Sequence, residues 1–363
     1  MAMKELQDDI SLLNSMSKDL MEQEDIHRPG PFWQESVMKT TRALRRYGVS
    51  RFRSGRKITP GATMSDAPRL GVYDHICDFP PTLSGRLRQW IFDSRVFRKL
   101  LLDTIDERVS RSAEDSHFRQ YMMFRDLWVN QSCKAWLTEV ISKYDLPESM
   151  GGGCVDGIKI NDRMVSWPYL GTYARISNFC DVRDFSEFKT ILVIGGGFGY
   201  EVHTLLSFFP SITKCITVDI PPYLYVQTQY LKAIYGESVV DYADVAARPG
   251  IISMSSADKR EILAIAPWQL DRIDASVDLL WNSCSFVEMT VPQVKNYASV
   301  AERLLRTSAQ PTVCIVSYDT EMKTRQEDVL SAFPAFRFTK VDVTRRVMPE
   351  ECYRECQYLG SMS

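Results

Sequence analysis

An apolar run that ends in a cluster of glycines constrains this chain more than any other stretch. Residues 191–194 read Ile-Leu-Val-Ile, and residues 195–199 read Gly-Gly-Gly-Phe-Gly. A short β-branched apolar run predicts a buried strand, and the spacing of apolar residues over 202–209 predicts a helix after it. Glycines between a strand and a helix let the backbone approach a ligand without intervening side chains.

The spacing of these glycines distinguishes two classes of nucleoside cofactor. Dinucleotide enzymes carry G-x-G-x-x-G, and Tyr200 occupies the third glycine position of that pattern here. Gly195, Gly197 and Gly199 form G-x-G-x-G instead. That pattern resembles the first motif of the class I S-adenosylmethionine-dependent methyltransferases. The resemblance implies S-adenosyl-L-methionine as the cofactor; a nicotinamide-dependent oxidoreductase and a turn without a ligand remain alternatives.

An acid after the next predicted strand supports a nucleoside ligand. Residues 214–218 are predicted to form that strand, and Asp219 follows it. A carboxylate about 20 residues beyond the glycines can accept hydrogen bonds from both ribose hydroxyls. Both cofactor classes use such a group, so Asp219 does not choose between them. An aspartate that caps the next helix is the alternative.

Length and composition exclude several classes of protein. The 363 residues suffice for two domains. Because 44 basic residues balance 46 acidic ones, nothing indicates a nucleic-acid or membrane partner. The polar start is unlike a signal peptide, and nine cysteines without C-x-x-C spacing fit reduced thiols. We therefore expect a cytoplasmic protein with no metal site.

A break rich in proline and glycine at residues 147–153 divides the chain. We predict a mainly helical N-terminal domain over 1–155, for a substrate lid or for oligomerisation, and a methyltransferase domain over 156–363. Residues 39–57 carry eight basic side chains and no acidic one, which we interpret as a solvated surface. Before the break, aromatic and apolar residues recur at helical spacing: Phe124, Trp128, Trp136, Val140 and Tyr144.

Further strands are predicted along the second domain. A third strand over 261–267 ends at Trp268 and Gln269, which are candidates to stack on adenine and to bond its edge; a packed core tryptophan is the alternative. A fourth strand covers 276–282, and a fifth covers 311–318. The tail over 336–358 is predicted to supply an antiparallel pair. The fold class is therefore α/β, a doubly wound, mainly parallel Rossmann-like sheet with a C-terminal antiparallel strand.

The segment after the fourth strand carries the most specific motif. From Asn282 to Thr290 the chain reads N-S-C-S-F-V-E-M-T, which resembles the N-x-x-S-x-x-E-M-T signature of a family of sugar O-methyltransferases. The glycine turn, the Asp-x-Pro sequence at Asp219 and the Phe32-Trp33 pair are also similar to that family. The resemblance implies methylation of a hydroxyl on a sugar or sugar-bearing small molecule, in secondary metabolism or glycan biosynthesis.

One position departs from the family pattern. The family, like most class I methyltransferases, has an acid two residues before the first glycine, where this chain has Val193. That acid helps to hold the amino group of the cofactor. Its replacement leaves Glu201 or a backbone carbonyl for this contact. A non-catalytic member of the fold is therefore an open alternative.

Methyl transfer to a hydroxyl needs alignment of the reactants and removal of a proton. Candidate bases are Glu288, His203 and Asp319, with Glu288 first because it lies in the family motif. The alternative for Glu288 is a carboxylate that caps the following helix. An N- or C-methyltransferase acting on another small molecule, such as an amino-acid-derived metabolite, stays open, as does a homodimer.

The remaining candidates lie on the helix before the glycine strand and after the fourth and fifth strands. Arg175 is a candidate to meet the carboxylate of the methionine moiety, with a surface arginine as the alternative. Asn282 is a further cofactor candidate. The candidates for binding the acceptor are Ser283, Ser285, Tyr318 and Tyr173.

Overall fold

The computed structural model describes residues 5–50, 52–53, 132–154, 157–160, 163–318, 324–347 and 355–362. The helices are α1 (Ile10–Glu22), α2 (Gln34–Tyr47), α3 (Lys134–Lys143), α4 (Trp167–Cys180), α5 (Tyr200–Phe208), α6 (Tyr223–Tyr235), α7 (Tyr242–Ala246), α8 (Val291–Leu305) and α9 (Gln326–Ser331). The strands are β1 (Gly157–Ile160), β2 (Arg163–Ser166), β3 (Thr190–Ile194), β4 (Lys214–Val218), β5 (Val239–Val240), β6 (Ile252–Ser253), β7 (Glu261–Ile265), β8 (Ile273–Asp274), β9 (Leu279–Ser283), β10 (Thr312–Tyr318), β11 (Phe336–Val341) and β12 (Glu355–Met362). The predictions at Phe124, Trp128 and Asp319 lie outside the described residues.

A sheet of eight strands forms the centre of the fold, in the order β11-β12-β10-β9-β3-β4-β7-β5. Strand β12 is antiparallel to both of its neighbours, β10 and β11, and the other neighbouring strands run parallel. The predicted Rossmann-like sheet with a C-terminal antiparallel strand is therefore confirmed.

The chain reverses its direction of winding at β3. From β3 it proceeds to β4 and β7 on one side, then returns to β9 and β10 on the other. Such a reversal opens a crevice outside the carboxyl ends of the two central strands, where doubly wound sheets bind their ligands. The crevice lies between β3 and β9, the strands that precede the glycine turn and the N-x-x-S-x-x-E-M-T segment.

Alternating side chains of the central strands pack against opposite layers of helices. Ile191 and Val193 of β3 belong to a hydrophobic cluster with residues of α4, α5 and α6. Leu192 and Ile194 belong to the cluster with α8 and β10 on the other face. Because both faces are covered, β3 is apolar without interruption, which is the pattern that predicted it.

The N-terminal helices pack on the cluster that contains α5 and α6. Leu13 and Met16 of α1 are fully buried in it. The backbone N–H of Asp9 donates to the Tyr225 hydroxyl at 2.9 Å, and the Tyr242 hydroxyl donates to Asp19 at 2.5 Å. The described part of residues 1–155 thus shares a hydrophobic core with the sheet, and the division into two domains at 155/156 stays a prediction.

The sequence patterns did not predict several short elements. Strands β1 and β2 form an antiparallel pair before α4. The region predicted as a polar insertion over 236–258 contains β5, which extends the sheet, and β6, which pairs with β8. Strands of two residues are too short to show an alternation. Within the described ranges, every helix is too short or too polar to cross a bilayer.

Candidate functional site

The glycine turn after β3 has backbone conformations that residues with a side chain rarely adopt, and a neighbouring side chain packs closely against it. Gly195 has φ +73° and Gly197 has φ +56°, in the left-handed region. A Cβ atom on Gly195 would lie 2.3 Å from Ser285 Oγ. Gly199, with φ +99°, caps α5 and does not line the cavity described next. The turn therefore brings bare backbone to the crevice.

A cavity of about 560 Å³ lies at the carboxyl ends of β3 and β9. This volume is within the range of small-molecule sites, about 300–1,000 Å³. Seven of the predicted site residues line it: Gly195, Gly197, Asp219, Ser283, Ser285, Glu288 and Tyr318. The structure thus brings together the glycine turn, the acid after β4 and the first-ranked base.

The carboxylate of Asp219 is held by backbone donors. Gly197 N–H donates to Oδ2 at 3.1 Å, and Ile220 N–H donates to Oδ1 at 2.8 Å. Burial raises the pKa of Asp219 to about 7 against these two bonds. Helix α6 begins after Pro222 without a side-chain cap. The capping alternative for Asp219 is therefore wrong, and its carboxylate instead braces the glycine turn at the cavity wall.

Glu288 lies in a short 3₁₀ segment, Phe286–Glu288, between β9 and α8. Its Oε2 accepts a hydrogen bond from the indole N–H of Trp33 at 3.1 Å. Burial raises the pKa of Glu288 to about 7, and the Trp33 bond opposes this rise. At the start of α8, Gln293 Oε1 accepts from the Thr290 N–H at 3.0 Å. The N-cap residue of α8 is Thr290, whose backbone N–H bonds the Gln293 side chain, so the capping alternative for Glu288 is wrong.

The N-terminal segment from Ile26 to Ser36 lines the cavity together with Glu288. Arg28 C=O accepts from Gln293 Nε2 at 2.7 Å, and the Ser36 and Tyr223 hydroxyls are 2.7 Å apart. Sequence reasoning missed this half of the site. The signal that could have indicated it is the Phe32-Trp33 pair, which was noted only as part of a resemblance.

Two candidates from the sequence lie away from the cavity. His203 is 5% exposed, and its Nδ1 lies 2.7 Å from the Tyr169 hydroxyl. Burial lowers the pKa of His203 to about 3. Tyr173 is fully buried, with its ring 5.1 Å from that of Phe208. Both predictions are corrected because α4 packs against α5 in the interior instead of over the crevice.

Arg175 is neither a surface residue nor a cavity residue. Its Nη2 pairs with Glu355 Oε2 at 3.1 Å, and its Nη1 donates to Ser283 Oγ at 2.8 Å and lies 3.7 Å from Glu201 Oε1. Glu201 is fully buried, and burial raises its pKa to about 7. This cluster lies behind the cavity wall. Arg175 is therefore neither placed to meet the carboxylate of the methionine moiety nor a surface arginine.

Val193 and the residues after β7 also lie outside the cavity lining. Val193 is fully buried opposite Trp281 of β9. Trp268 packs against Tyr242, with ring centroids 5.9 Å apart. Gln269 Oε1 accepts from the Ala266 N–H at 3.0 Å, which closes the first turn after β7. The packed-tryptophan alternative describes Trp268 better than adenine stacking.

Asn282 supports the glycine turn from behind. Its Nδ2 donates to the Ile194 carbonyl at 2.9 Å and to Ser285 Oγ at 2.5 Å. Ser285 Oγ in turn donates to the same carbonyl at 3.1 Å. Asn282 therefore fixes the cavity wall and does not line it, whereas Ser285 does both.

No protein-family model and no curated protein sequence matches the chain. Solved structures with a similar arrangement include the pyocyanin biosynthetic protein PhzM (TM-score 0.36, 11% identity, 52% of this chain and 55% of that one). The N,N-8-amino-8-demethyl-D-riboflavin dimethyltransferase RosA from Streptomyces davawensis has a TM-score of 0.36 and 14% identity over 52% of this chain and 54% of its own. Human N-acetylserotonin methyltransferase in complex with S-adenosylmethionine has a TM-score of 0.34 and 13% identity over 80% and 73%. The chain spans about half the length of the first two, and similarities this weak establish no common function.

Proposed function

We propose that this protein is an S-adenosylmethionine-dependent methyltransferase that acts on a small molecule. One observation carries the proposal: Gly195 and Gly197 of the glycine turn, Asp219 and Glu288 line a single cavity at the point where the sheet reverses its winding. The first two features serve a nucleoside, and the third is a carboxylate suited to proton transfer.

The residues present fit the nucleoside part of this cofactor. Gly195 and Gly197 bring backbone without side chains to the cavity wall, and the Asp219 carboxylate has lone pairs left for ribose hydroxyls. When bound, the cofactor supplies an electrophilic methyl group. No residue is assigned to the amino group of S-adenosylmethionine, because Val193 and Glu201 are both fully buried.

Glu288 is the residue proposed to move a proton. A carboxyl group with a pKa near 7 is half ionised at neutral pH, so it can accept a proton from the acceptor and release it afterwards. The Trp33 N–H holds Oε2, which leaves Oε1 for the acceptor. Glu288 thus acts as a general base whose orientation the N-terminal segment fixes.

The finer assignments remain predictions, and only the first of them rests on the resemblance. They are a sugar hydroxyl as the acceptor, a cytoplasmic location, a homodimer and a separate N-terminal domain. An N- or C-methyltransferase uses the same fold and is the second candidate. The family motif, including Glu288, favours transfer to oxygen.

Thermal melting tests the proposed cofactor. A ligand that binds only the folded state raises the melting temperature by mass action, so S-adenosylhomocysteine should raise it and NAD at the same concentration should not. Stabilisation by NAD alone would overturn the proposal in favour of an oxidoreductase. Transfer of labelled methyl from S-adenosylmethionine to an acceptor then separates an enzyme from a non-catalytic relative.

A further inference from the structure

The acceptor half of the cavity has an aromatic wall. The Phe32 and Trp33 ring centroids are 5.2 Å apart at 75°, and those of Trp33 and Tyr223 are 5.0 Å apart at 67°. All three residues line the cavity on the side of Glu288, and Phe32 is 43% exposed. Edge-to-face rings at these distances form a stable apolar surface for a flat ligand.

Four hydroxyl groups that line the cavity are already engaged by protein partners. Ser283 Oγ accepts from Arg175, and Ser285 Oγ bonds Asn282 and the Ile194 carbonyl. The hydroxyls of Ser36 and Tyr223 bond one another at 2.7 Å. The hydroxyls of a bound sugar would face groups whose hydrogen-bonding capacity is already largely used. Each sugar hydroxyl that is buried without a hydrogen-bond partner costs free energy.

Glu288 offers one localised polar contact within this wall. The carboxylate is fixed by the Trp33 N–H and lies next to the aromatic rings. A ligand that matches this surface has a flat apolar body and a single protic group. Its ring packs on the aromatic wall while the protic group bonds to Glu288.

We propose, on the basis of the methyl transfer proposed above, that the acceptor is an aromatic ring bearing a phenolic hydroxyl that lies against Phe32 and Trp33 with its O–H at Glu288. The phenol proton passes to the carboxylate, the phenol oxygen forms a bond to the methyl carbon, and the carbon–sulfur bond breaks with its electron pair left on sulfur. The products are a methyl aryl ether, S-adenosylhomocysteine and a protonated Glu288.

The acidity of the acceptor supports this choice over an alcohol. A phenol has a pKa of about 10, that of tyrosine, whereas sugar hydroxyls are much weaker acids. General-base catalysis is more effective when the base and the proton donor are closer in pKa. The pKa of Glu288, about 7, lies nearer to that of a phenol.

The proposal is tested by measuring the transfer of labelled methyl from S-adenosylmethionine to three sets of acceptors. These sets are substituted phenols, the corresponding anilines and methyl glycosides. We expect kcat/KM for the best phenol to exceed that for the best glycoside by about 100-fold or more. A higher kcat/KM for a glycoside or an aniline would overturn the phenol assignment and leave methyl transfer intact.

Binding without turnover gives a second measurement. With S-adenosylhomocysteine present, a phenol should quench tryptophan fluorescence in the wild type and in Trp268→Phe, and the quench should be largely lost in Trp33→Phe. Tight S-adenosylhomocysteine binding without any phenol quench contradicts this inference alone. Absence of S-adenosylhomocysteine binding contradicts the proposed function itself, so the two failures are distinguishable.

Discussion

The indole N–H of Trp33 donates a 3.1 Å hydrogen bond to Oε2 of Glu288, which lies 255 residues further along the chain. This bond joins the N-terminal segment to the loop after β9. It lowers the pKa of Glu288 against the effect of burial. A hydrogen bond to the ionised form of a carboxyl group has this effect because it stabilises the charge.

Trp33→Phe should therefore shift the pH profile of the reaction. The phenylalanine keeps the ring contacts with Phe32 and Tyr223 but loses the N–H, so the pKa of Glu288 should rise from its value of about 7. The rise of kcat with pH should move to higher pH, with S-adenosylhomocysteine affinity unchanged. Trp268→Phe, which removes an indole N–H outside the cavity lining, is the control. An unshifted profile in Trp33→Phe would show that the bond does not tune the base.

Replacement of Glu288 by glutamine should remove proton transfer and keep the shape of the site. General-base help is worth about 10²–10⁴ in rate, and we expect kcat to fall by roughly that factor. The glutamine oxygen still accepts from Trp33, so the fold should survive. Single-turnover kinetics on the saturated enzyme measure the chemical step directly. Near-full turnover would assign the proton to another group.

The same Glu288→Gln variant should show a pH-dependent change in stability. The folded-state pKa of Glu288, about 7, is above its ordinary value near 4.5, so the folded state binds an extra proton between these values. Its contribution to stability is therefore present at low pH and lost as pH rises through 7. Relative to the wild type, the variant should melt at a higher temperature at about pH 8 and at an equal temperature below about pH 4. The opposite order would mean that the ionised carboxylate stabilises the fold.

Val193→Glu should destabilise the protein without improving cofactor binding. A glutamate at position 193 would place a carboxylate at a fully buried position of β3 beside Trp281, and an unpaired buried charge is costly. Val193→Gln is the matched control, because glutamine has the size of glutamate without its charge. At neutral pH it should melt at a higher temperature than Val193→Glu. Tighter S-adenosylhomocysteine binding by Val193→Glu would contradict the enclosed position.

The sequence was sufficient for the sheet because its signals are local. The apolar run of β3, the glycines after it and the acid after β4 are each read within about ten residues. Their meeting at one edge follows from the rule that carboxyl ends of parallel strands share an edge. Glu288 ranks first for a different reason, because its segment after β9 resembles a family motif.

The sequence was insufficient where partners come from distant segments. Nothing within α5 shows that Tyr169 of α4 bonds His203, and nothing near Arg175 shows that Glu355 of β12 pairs with it. Polar residues after strands were predicted to meet a ligand, yet Gln269 and Asn282 bond the backbone instead. The N-terminal part of the cavity lining has no apolar periodicity that predicts its position, and Trp33 contacts Glu288 through one indole N–H.

Calorimetric titration with S-adenosylhomocysteine tests the central claim most directly, on the wild type, Asp219→Ala, Glu288→Gln and Asp278→Asn. Asp278 also accepts two backbone N–H bonds, from Lys189 and Thr190, but at the opposite end of β3. We predict one site of micromolar affinity, weakened in Asp219→Ala by about 1.5–3 kcal/mol, the scale of hydrogen bonds to a charged group, and nearly unchanged in the other two variants. Equal affinity in Asp219→Ala and the wild type, or binding of NAD in place of S-adenosylhomocysteine, would contradict the account.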